Sequence, residues 1–343
     1  MKFKAAILVE SKKDLVVDEI SSRPLEAGQV LVKINCSGIC GAQINEIDAV
    51  KGPDNFLPHL LGHEGGGIVQ EIGAGVTRLK PGDRVVMHWR KASGIHAQPA
   101  KYNWNGKTVN AGWVTTFSEY SVVSENRLTV VPETTSFEVC ALMGCALTTA
   151  FGIINNDASV NIGESVVVFG CGGIGLPEIQ AAKIAGAYPV IGVDVSEQKL
   201  QWAKDFGADE VVLSSDTVLD DIRAHLGDRF ADVVIENTGI VKVIQSAYEL
   251  GRDRTGRIIL AGVPNASEKT PIYTLPLHFG KVLKGSEGGS TIPDLDIPRL
   301  LKVSTARKYD FEALISHRFT LDSINEGLNL LRNGNCKRVL LDM

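Results

Sequence analysis

The feature that most constrains the fold is the segment VVVFGCGGIG at residues 166–175, which is followed by a helical pattern over about Pro177–Ala185. An unbroken run of β-branched and aromatic side chains predicts a strand that is buried on both faces. The same rhythm returns with strands at Val190–Val193, Asp232–Glu236 and Arg257–Ala261, and with a helix over Ser196–Phe206 that Ser196 would cap. This alternation predicts a parallel sheet covered by helices.

The glycines after the first of these strands predict a phosphate-binding turn. The G-x-G-x-x-G pattern comprises Gly170, Cys171, Gly172, Gly173, Ile174 and Gly175. Gly170 permits the tight turn, Gly172 lets the backbone approach a pyrophosphate, and Gly175 lets the helix pack on the strand. The unpaired N–H groups at the start of that helix would face the phosphates. The alternative is a turn that only packs a helix.

Asp194 favours the nucleotide interpretation. It ends the next predicted strand 19 residues after Gly175, close to the spacing of about 20 expected for a carboxylate that binds the adenosine ribose. A carboxylate repels a 2′-phosphate, and no arginine follows within five residues. The pattern therefore predicts NAD rather than NADP.

The first part of the chain has a different texture. Short β-rich runs alternate with glycine and proline turns, at Lys4–Glu10, Val30–Ser37, Gly67–Ile72, Arg84–His88 and Phe117–Val123. This pattern predicts an irregular, mainly antiparallel β domain. After about Ser286 the chain predicts helices over Ile297–Thr305 and Ser323–Asn333 and a last strand at Cys336–Leu341. We expect one domain over 1–147 and 288–343 and a second over 148–287.

Composition excludes several classes of protein. The 343 residues carry 35 basic and 40 acidic side chains, a balance that does not fit a nucleic-acid-binding surface. No apolar run is long enough to span a membrane, and Met1–Glu10 does not resemble a signal peptide. Six cysteines without an export signal do not predict a disulfide framework. We expect a cytoplasmic protein whose thiols are metal ligands or core residues.

Cys40, His63 and Cys145 are the candidate metal ligands. Each lies where a turn meets a regular element, and each alone would be an ordinary core or surface residue. Two thiolates and one imidazole form the open tetrahedral set that suits catalytic zinc, with the fourth position left for water or substrate. Four other cysteines are expected to be apolar fillers: Cys36, Cys140, Cys171 and Cys336.

Taken together, the motifs resemble those of the zinc-dependent alcohol dehydrogenases of the medium-chain dehydrogenase/reductase superfamily, over nearly the whole chain. Besides the glycine pattern and Asp194, they are SGIC at 37–40, GHE at 62–64, KPGDRV at 80–85, TTFSEY at 115–120, GCALTTAFG at 144–152, AGVP at 261–264 and KRVLL at 337–341. The resemblance implies an α/β fold with an irregular β-rich GroES-like catalytic domain and a Rossmann domain with a doubly wound parallel sheet. It also implies a homodimer or homotetramer.

The resemblance also assigns residue roles. It implies that Cys40, His63 and Cys145 bind the catalytic zinc, since two cysteines and one histidine are the known zinc ligands of alcohol dehydrogenase. Glu64 would stand beside them as a neighbouring group or transient fourth ligand. Around NAD, it implies that Thr149 and Ile174 lie near the nicotinamide, that Lys199 reaches the adenosine ribose, that Val263 holds the carboxamide end by its backbone, and that Arg338 meets the pyrophosphate. Site residues in both domains imply a cleft between them.

Three departures from the family pattern matter. The stretch Trp89–Trp113, where many relatives carry a structural zinc, contains no cysteine, so we expect one catalytic ion only. Ala42 stands where the family commonly has the hydroxyl that starts a proton relay, and Asn45 stands where a relay histidine often lies. Gln43 replaces the aspartate that supports the ligand histidine, and is expected to be a neutral partner for His63.

These departures leave the proton route and the substrate open. Glu46, His88 and Glu287 are candidates for proton transfer, and Glu287 is the one we favour, with a solvated loop glutamate as the alternative. Cations and aromatic rings alternate in the cysteine-free stretch, which could receive a polar or anionic alcohol or carbonyl compound. The alternative is a solvated loop above a packed tryptophan.

We therefore expect a zinc- and NAD-dependent oxidoreductase that interconverts a polar alcohol with an aldehyde or ketone. One alternative is a cyclitol or sugar-derivative dehydrogenase with substrate-assisted proton transfer. An alternative of another class is a non-catalytic NAD- or zinc-binding regulator, which the complete ligand set and glycine pattern argue against. Neither a nucleic acid nor a membrane is an expected partner.

Overall fold

The computed structural model describes residues 1–50, 52–227, 230–307 and 309–343. In chain order the strands are β1 (Lys2–Leu8), β2 (Val16–Ser22), β3 (Gln29–Ile39), β4 (His59–Leu60), β5 (Glu64–Ile72), β6 (Arg84–His88), β7 (Lys101–Trp104), β8 (Lys107–Asn110), β9 (Tyr120–Ser124), β10 (Leu128–Val130), β11 (Val166–Phe169), β12 (Val190–Asp194), β13 (Glu210–Leu213), β14 (Val233–Glu236), β15 (Arg257–Leu260), β16 (Val282–Gly285), β17 (Ile315–Thr320) and β18 (Arg338–Asp342). The α-helices are α1 (Gly41–Ile47), α2 (Phe137–Met143), α3 (Ala146–Gly152), α4 (Gly175–Ala185), α5 (Glu197–Asp205), α6 (Val218–His225), α7 (Val241–Leu250), α8 (Pro293–Arg307) and α9 (Ile324–Arg332).

The chain divides into two compact units. Unit 1 comprises Met1–Cys145 and Ile292–Met343, and unit 2 comprises Ala146–Thr291. The sequence places the same two changes of texture a few residues away, with the second domain over 148–287.

Unit 2 contains a six-stranded parallel sheet in the order β13-β12-β11-β14-β15-β16. Val167 and Phe169 of β11 share a buried cluster with side chains of α6 and α7. On the opposite face, Val168 lies against Gly175 at the start of α4. Because successive side chains of a strand point to opposite faces, helices cover both sides of this sheet. The predicted Rossmann fold is confirmed, and its strand order is the one that places a ligand at the ends of the first strands.

Unit 1 is built from two β systems. A closed barrel has the strand order β1-β2-β7-β8-β4, and a second sheet has the order β10-β6-β5-β3-β18-β17 with β9 paired to β3. Pairing is mainly antiparallel, as predicted, with parallel pairs only at β4–β8 and β17–β18 in the part of the chain that the structure describes. Strand β18 joins the sheet beside β3, so the end of the chain completes the unit that its beginning starts.

The cysteine-free stretch is held by hydrogen bonds and by a hairpin. Strands β7 and β8 turn at Asn105 and Gly106, both with positive φ. Nearby, the buried Glu125 carboxylate accepts hydrogen bonds from the backbone N–H groups of Thr77, Arg78 and Ile95, each at 2.8 Å. Burial alone would raise the pKa of Glu125, but these donors outweigh it and lower the pKa below its ordinary value. Packing and hydrogen bonds thus stabilise this region.

Among the described residues, no single helix is both long and apolar enough to cross a membrane. Two short consecutive segments, Phe137–Met143 and Ala146–Asp157, reach the required length and composition only when they are taken together across a break.

Candidate metal centre and dinucleotide site

Three side chains that are far apart in sequence meet in unit 1. The Sγ atoms of Cys40 and Cys145 and a ring nitrogen of His63 lie within 4.8 Å of one another. Cys40 follows β3, His63 directly precedes β5, and Cys145 lies between α2 and α3. The structure therefore brings together the three ligand candidates that the sequence predicts.

Strand pairing explains why Cys40 and His63 meet. Strands β3 and β5 are antiparallel, with Ser37 opposite Gly65, so the end of β3 lies beside the start of β5. The segment that leads to Cys145 packs on the same point, because a Cβ at Gly144 would lie 2.6 Å from the Glu64 Cα. The glycine allows this close approach of two backbones.

The electrostatics of the cluster favour a cation. A hydrogen bond from the Cys145 thiol, together with the His63 ring, lowers the pKa of Cys40 well below its ordinary value in spite of burial. His63 Nε2 is buried and has no hydrogen-bond partner among the described residues. Such a buried ring nitrogen beside two thiols, one of which ionises readily, fits a zinc ion with two sulfur ligands and one nitrogen ligand.

Gln43 supports both the helix and the histidine. Its side-chain oxygen accepts a hydrogen bond from the Cys40 backbone N–H at 3.1 Å, which helps to cap α1. Its amide nitrogen lies 2.6 Å from His63 Nδ1, so Gln43 is the neutral partner of His63 that the sequence predicts.

The orientation of the Gln43 amide decides which ring nitrogen of His63 carries the proton. An N–H donor at Nδ1 leaves the proton on Nε2, where it would block a metal. With the isosteric amide turned over, its oxygen accepts from Nδ1–H and Nε2 keeps its lone pair. The Cys40 N–H then loses its acceptor. A single amide oxygen thus serves two competing donors.

Glu64 and Arg338 form a buried ion pair in unit 1. Arg338 Nη2 donates to Glu64 Oε1, and both side chains are almost completely buried. Burial would lower the pKa of Arg338, but the Glu64 charge raises it overall. The carboxylate needs Gly38, since a Cβ there would lie 2.6 Å from Oε1. Glu64 is not part of the ligand cluster of the described chain, and its transient ligation stays a prediction, as does the contact of Arg338 with a pyrophosphate.

Aromatic and cationic side chains lie next to the cluster. The Trp89 ring centroid is 6.5 Å from that of His63, and the Arg90 guanidinium lies 5.6 Å from the Trp89 centroid. Arg127 donates to the Trp89 backbone oxygen and lies 5.7 Å from the Trp113 ring. This part of the cysteine-free stretch therefore has a defined arrangement of rings and positive charges beside the candidate metal ligands.

The predicted nucleotide residues form one cavity within unit 2. It has a volume of about 430 Å³. Its lining includes Thr149, Gly170, Gly172, Gly173, Ile174, Gly175, Asp194 and Lys199. Gly170 has a φ of 91°, and a Cβ at Gly175 would collide with the Gly170 carbonyl oxygen, so both positions require glycine. Val263 lies outside this lining, exposed after β15, and its contact with the carboxamide stays a prediction.

Backbone donors fix the Asp194 carboxylate at the end of β12. Its Oδ2 accepts from the Cys171 N–H at 2.9 Å, and its Oδ1 accepts from the Ser196 N–H at 3.0 Å. Each oxygen keeps a second lone pair, which is what a ribose diol would need.

The candidates for proton transfer have different surroundings. His88 is buried, with Nδ1 2.6 Å from the Arg90 carbonyl oxygen and Nε2 2.9 Å from Thr129 Oγ1, and burial lowers its pKa to about 4. Both ring nitrogens are thus engaged, which favours a structural role. Glu287 is exposed in unit 2 just after β16, and its proton transfer stays a prediction.

Comparisons with known proteins identify the family. Residues 26–133 match the alcohol dehydrogenase GroES-like domain, and residues 173–305 match the zinc-binding dehydrogenase domain. An alcohol dehydrogenase class-3 from Cereibacter sphaeroides is 32% identical over 373 residues, covering 98% of this chain and 99% of that protein. The chain belongs to the zinc-dependent alcohol dehydrogenase family.

Solved structures agree with this assignment. The alcohol dehydrogenase zinc-binding domain protein from Burkholderia ambifaria is 25% identical, with a TM-score of 0.92 and coverage of 100% of this chain and 99% of the other. Benzyl alcohol dehydrogenase from Acinetobacter calcoaceticus is also 25% identical, with a TM-score of 0.89 and the same coverage. As a member of this family, the chain is an NAD-dependent oxidoreductase that acts on CH–OH groups, and zinc is its metal.

Gln43 provides a test of the metal centre. The Gln43→Glu variant should bind zinc about tenfold more tightly, because a carboxylate accepts from both the Cys40 N–H and His63 Nδ1–H. Gln43→Leu should bind zinc about 10–100-fold more weakly, because His63 loses its partner. Competition with a chromogenic chelator measures both affinities.

Gln70→Leu is the control, because Gln70 lies at an exposed position of β5 and bonds only to nearby carbonyl groups among the described residues. Equal zinc affinities for the wild type and both Gln43 variants would show that Gln43 does not orient His63.

Proposed function

We propose that this chain is a zinc- and NAD-dependent alcohol dehydrogenase whose substrate is a polar or anionic alcohol. The observation that carries the proposal is the convergence of Cys40, His63 and Cys145, with an unpartnered buried nitrogen on His63 among the described residues. When bound, zinc supplies a Lewis acid that acidifies an alcohol hydroxyl, and NAD supplies the hydride acceptor.

The side chains of the centre would have distinct roles. Cys40 and Cys145 would supply two sulfur ligands and His63 one nitrogen ligand. Gln43 would orient the histidine ring. Glu64 and Arg338 would form a buried ion pair near the ligands, in which the two charges neutralise each other.

The nucleotide cavity supports NAD over NADP. The glycine turn would hold the pyrophosphate at the start of α4, because the first backbone N–H groups of a helix have no acceptor within the helix and can bind an anion. Asp194 stands at the end of β12 with spare acceptor capacity, and a 2′-phosphate there would meet a fixed negative charge.

Two positions that form a proton relay in many members of the family, those of Ala42 and Asn45, cannot accept the proton that leaves the alcohol in this chain. Ala42 carries no polar group, and the Asn45 amide does not titrate. This absence favours, as a second candidate, a cyclitol or sugar-derivative dehydrogenase in which a neighbouring substrate hydroxyl passes the proton on.

Trp89 and Arg90 support the substrate class. Trp89 lies beside His63 and would offer an aromatic face to the substrate, while Arg90 stacks near the same ring and would bind an anionic or polyhydroxyl group. Arg127 would hold Trp89 in place by donating a hydrogen bond to its backbone oxygen.

Cys145→Ser tests the proposed activity. Removing a residue that supports a metal ligand lowers metal affinity or activity about 10–100-fold. Removing the thiolate ligand itself should therefore release most of the zinc and lower kcat/KM for NAD-linked alcohol oxidation by more than about a hundredfold. The matched control is Cys140→Ser, a buried thiol on α2 with a pKa raised by burial to about 12. Metal analysis and steady-state kinetics should separate the two variants, and full activity without zinc in Cys145→Ser would contradict the proposal.

Arg90→Gln tests the substrate class. The variant should raise KM about tenfold for alcohols that bear a carboxylate or phosphate, because a charge-assisted hydrogen bond is lost. The KM for a neutral alcohol such as benzyl alcohol should change little. Lys91→Gln, which removes the adjacent exposed charge, is the control. If Arg90→Gln changes the KM for charged and for neutral alcohols by the same factor, or changes it no more than Lys91→Gln does, Arg90 does not bind an anionic group of the substrate.

A further inference from the structure

Helix α4 buries a carboxyl group that the family reaction does not use. Glu178 lies in the first turn of α4, three residues after Gly175, and is fully buried. A buried carboxyl group is costly unless it is paired or protonated. Its place directly behind the phosphate-binding turn makes its protonation relevant to the dinucleotide.

The partner of Glu178 is a residue of the cavity wall. Asn237 follows β14, lines the dinucleotide cavity and lies behind the glycine turn, where a Cβ at Gly170 would be 3.3 Å from the Asn237 Cβ. Asn237 Nδ2 donates to Glu178 Oε2 at 2.6 Å. The pair therefore connects the interior face of α4 to the cavity.

Two buried oxygens of this pair lack partners. Within the described chain, neither Glu178 Oε1 nor Asn237 Oδ1 has a hydrogen-bond partner. Protonation would make Glu178 Oε1 a donor for the Asn237 oxygen, as in the reciprocal pair that a carboxylic acid forms with an amide. Without the proton, both oxygens are buried acceptors that have no donor among the described residues, which is unfavourable.

Burial favours the protonated state. It raises the pKa of Glu178 to about 8, against the opposing effect of the Asn237 hydrogen bond, and the negative charge of Glu236 raises it further. Near neutral pH the group is therefore largely uncharged, and it ionises in the mildly alkaline range.

Lys183 is the other ionisable residue of α4 itself, and it pairs with Asp209. Further ionisable groups belong to the elements packed against α4 or to the turn before it. Helix α3 and strand β11 carry none. The remaining ones are Asp157 after α3, Cys171 in the glycine turn, Asp194 of β12, Glu236 of β14, and Glu197, Lys199, Lys204 and Asp205 of α5. Asp157 already accepts from Lys284, Ser286 and Ser290, and Asp194 from two backbone N–H groups.

We infer that Glu178 and Asn237 act as one proton-dependent positioning pair for the dinucleotide: the protonated pair holds the cavity wall in its binding form, and loss of the proton weakens dinucleotide binding. Ionisation places a negative charge behind the turn that would hold the pyrophosphate, and it leaves Asn237 facing two acceptor oxygens. The inference rests on the proposed NAD-binding function and adds a pH-dependent determinant of cofactor affinity to it.

The test is NADH affinity of the zinc-loaded enzyme, measured by fluorescence from about pH 6 to about pH 10, a range that brackets the titration. The wild-type Kd should rise about three- to tenfold as pH passes through 8. The curve of Glu178→Gln should lack this rise, because glutamine keeps the shape and cannot ionise. Glu268→Gln, the same change on an exposed loop, should keep the wild-type curve.

Proton uptake gives an independent reading. If NADH binds the protonated form better, binding near pH 8 should take up protons, which calorimetry in two buffers of different ionisation enthalpy detects. Glu178→Gln should lower this uptake. Asn237→Ala should bind NADH at neutral pH about as weakly as the wild type does at the alkaline end.

The outcomes separate this inference from the proposed function. Parallel pH curves for the wild type and Glu178→Gln, with NADH binding intact, would overturn the positioning pair alone. If Glu178→Gln does not fold, an unchanged neutral-pH Kd in Asn237→Ala would overturn it as well. Failure of the wild type to bind NADH at every pH would overturn the proposed function and the inference with it.

Discussion

The candidate metal centre of unit 1 depends on the antiparallel pairing of β3 and β5. This pairing places Cys40 and His63 at one point of the sheet, and the close packing of Gly144 on the Glu64 backbone brings Cys145 to the same place. The consequence is electrostatic: a readily ionised thiol lies beside a buried ring nitrogen that has no partner in the described part of the chain. A cation would resolve that cost, so the same geometry that stabilises the sheet provides a candidate metal centre.

At each candidate site, the residues expected to contact the ligand are held by hydrogen bonds or ion pairs with buried polar neighbours. In unit 1, Gln43 caps α1 and contacts His63, and Arg338 balances Glu64. In unit 2, backbone N–H groups fix Asp194, and Glu178 holds Asn237. These groups hold residues that keep a free atom for a ligand: His63 Nε2 has no partner in the described chain, and each Asp194 oxygen accepts one backbone hydrogen bond. In both units, buried polar contacts thus hold the residues that would face a ligand, a metal ion in unit 1 and a dinucleotide in unit 2.

Much of this is accessible from sequence because it is local. The strand at Val166–Phe169, the glycine turn and the cap at Ser196 depend on neighbouring residues, and the structure confirms the Rossmann sheet and the start of α5 there. The hairpin of β7 and β8 is not among the predicted elements, although Asn105-Gly106 is a strong turn signal. Pairs such as Glu64 with Arg338, 274 residues apart, and Asn237 with Glu178, 59 apart, have no local signal. They depend on tertiary packing.

X-ray absorption at the zinc edge of the purified full-length enzyme tests the central claim most directly, since it counts and identifies the ligand atoms. With one zinc ion per chain, we expect two sulfur atoms at about 2.3 Å and one histidine nitrogen at about 2.0–2.1 Å, with an oxygen in the fourth position. A zinc ion surrounded by four sulfur atoms, or by nitrogen and oxygen alone, would contradict it.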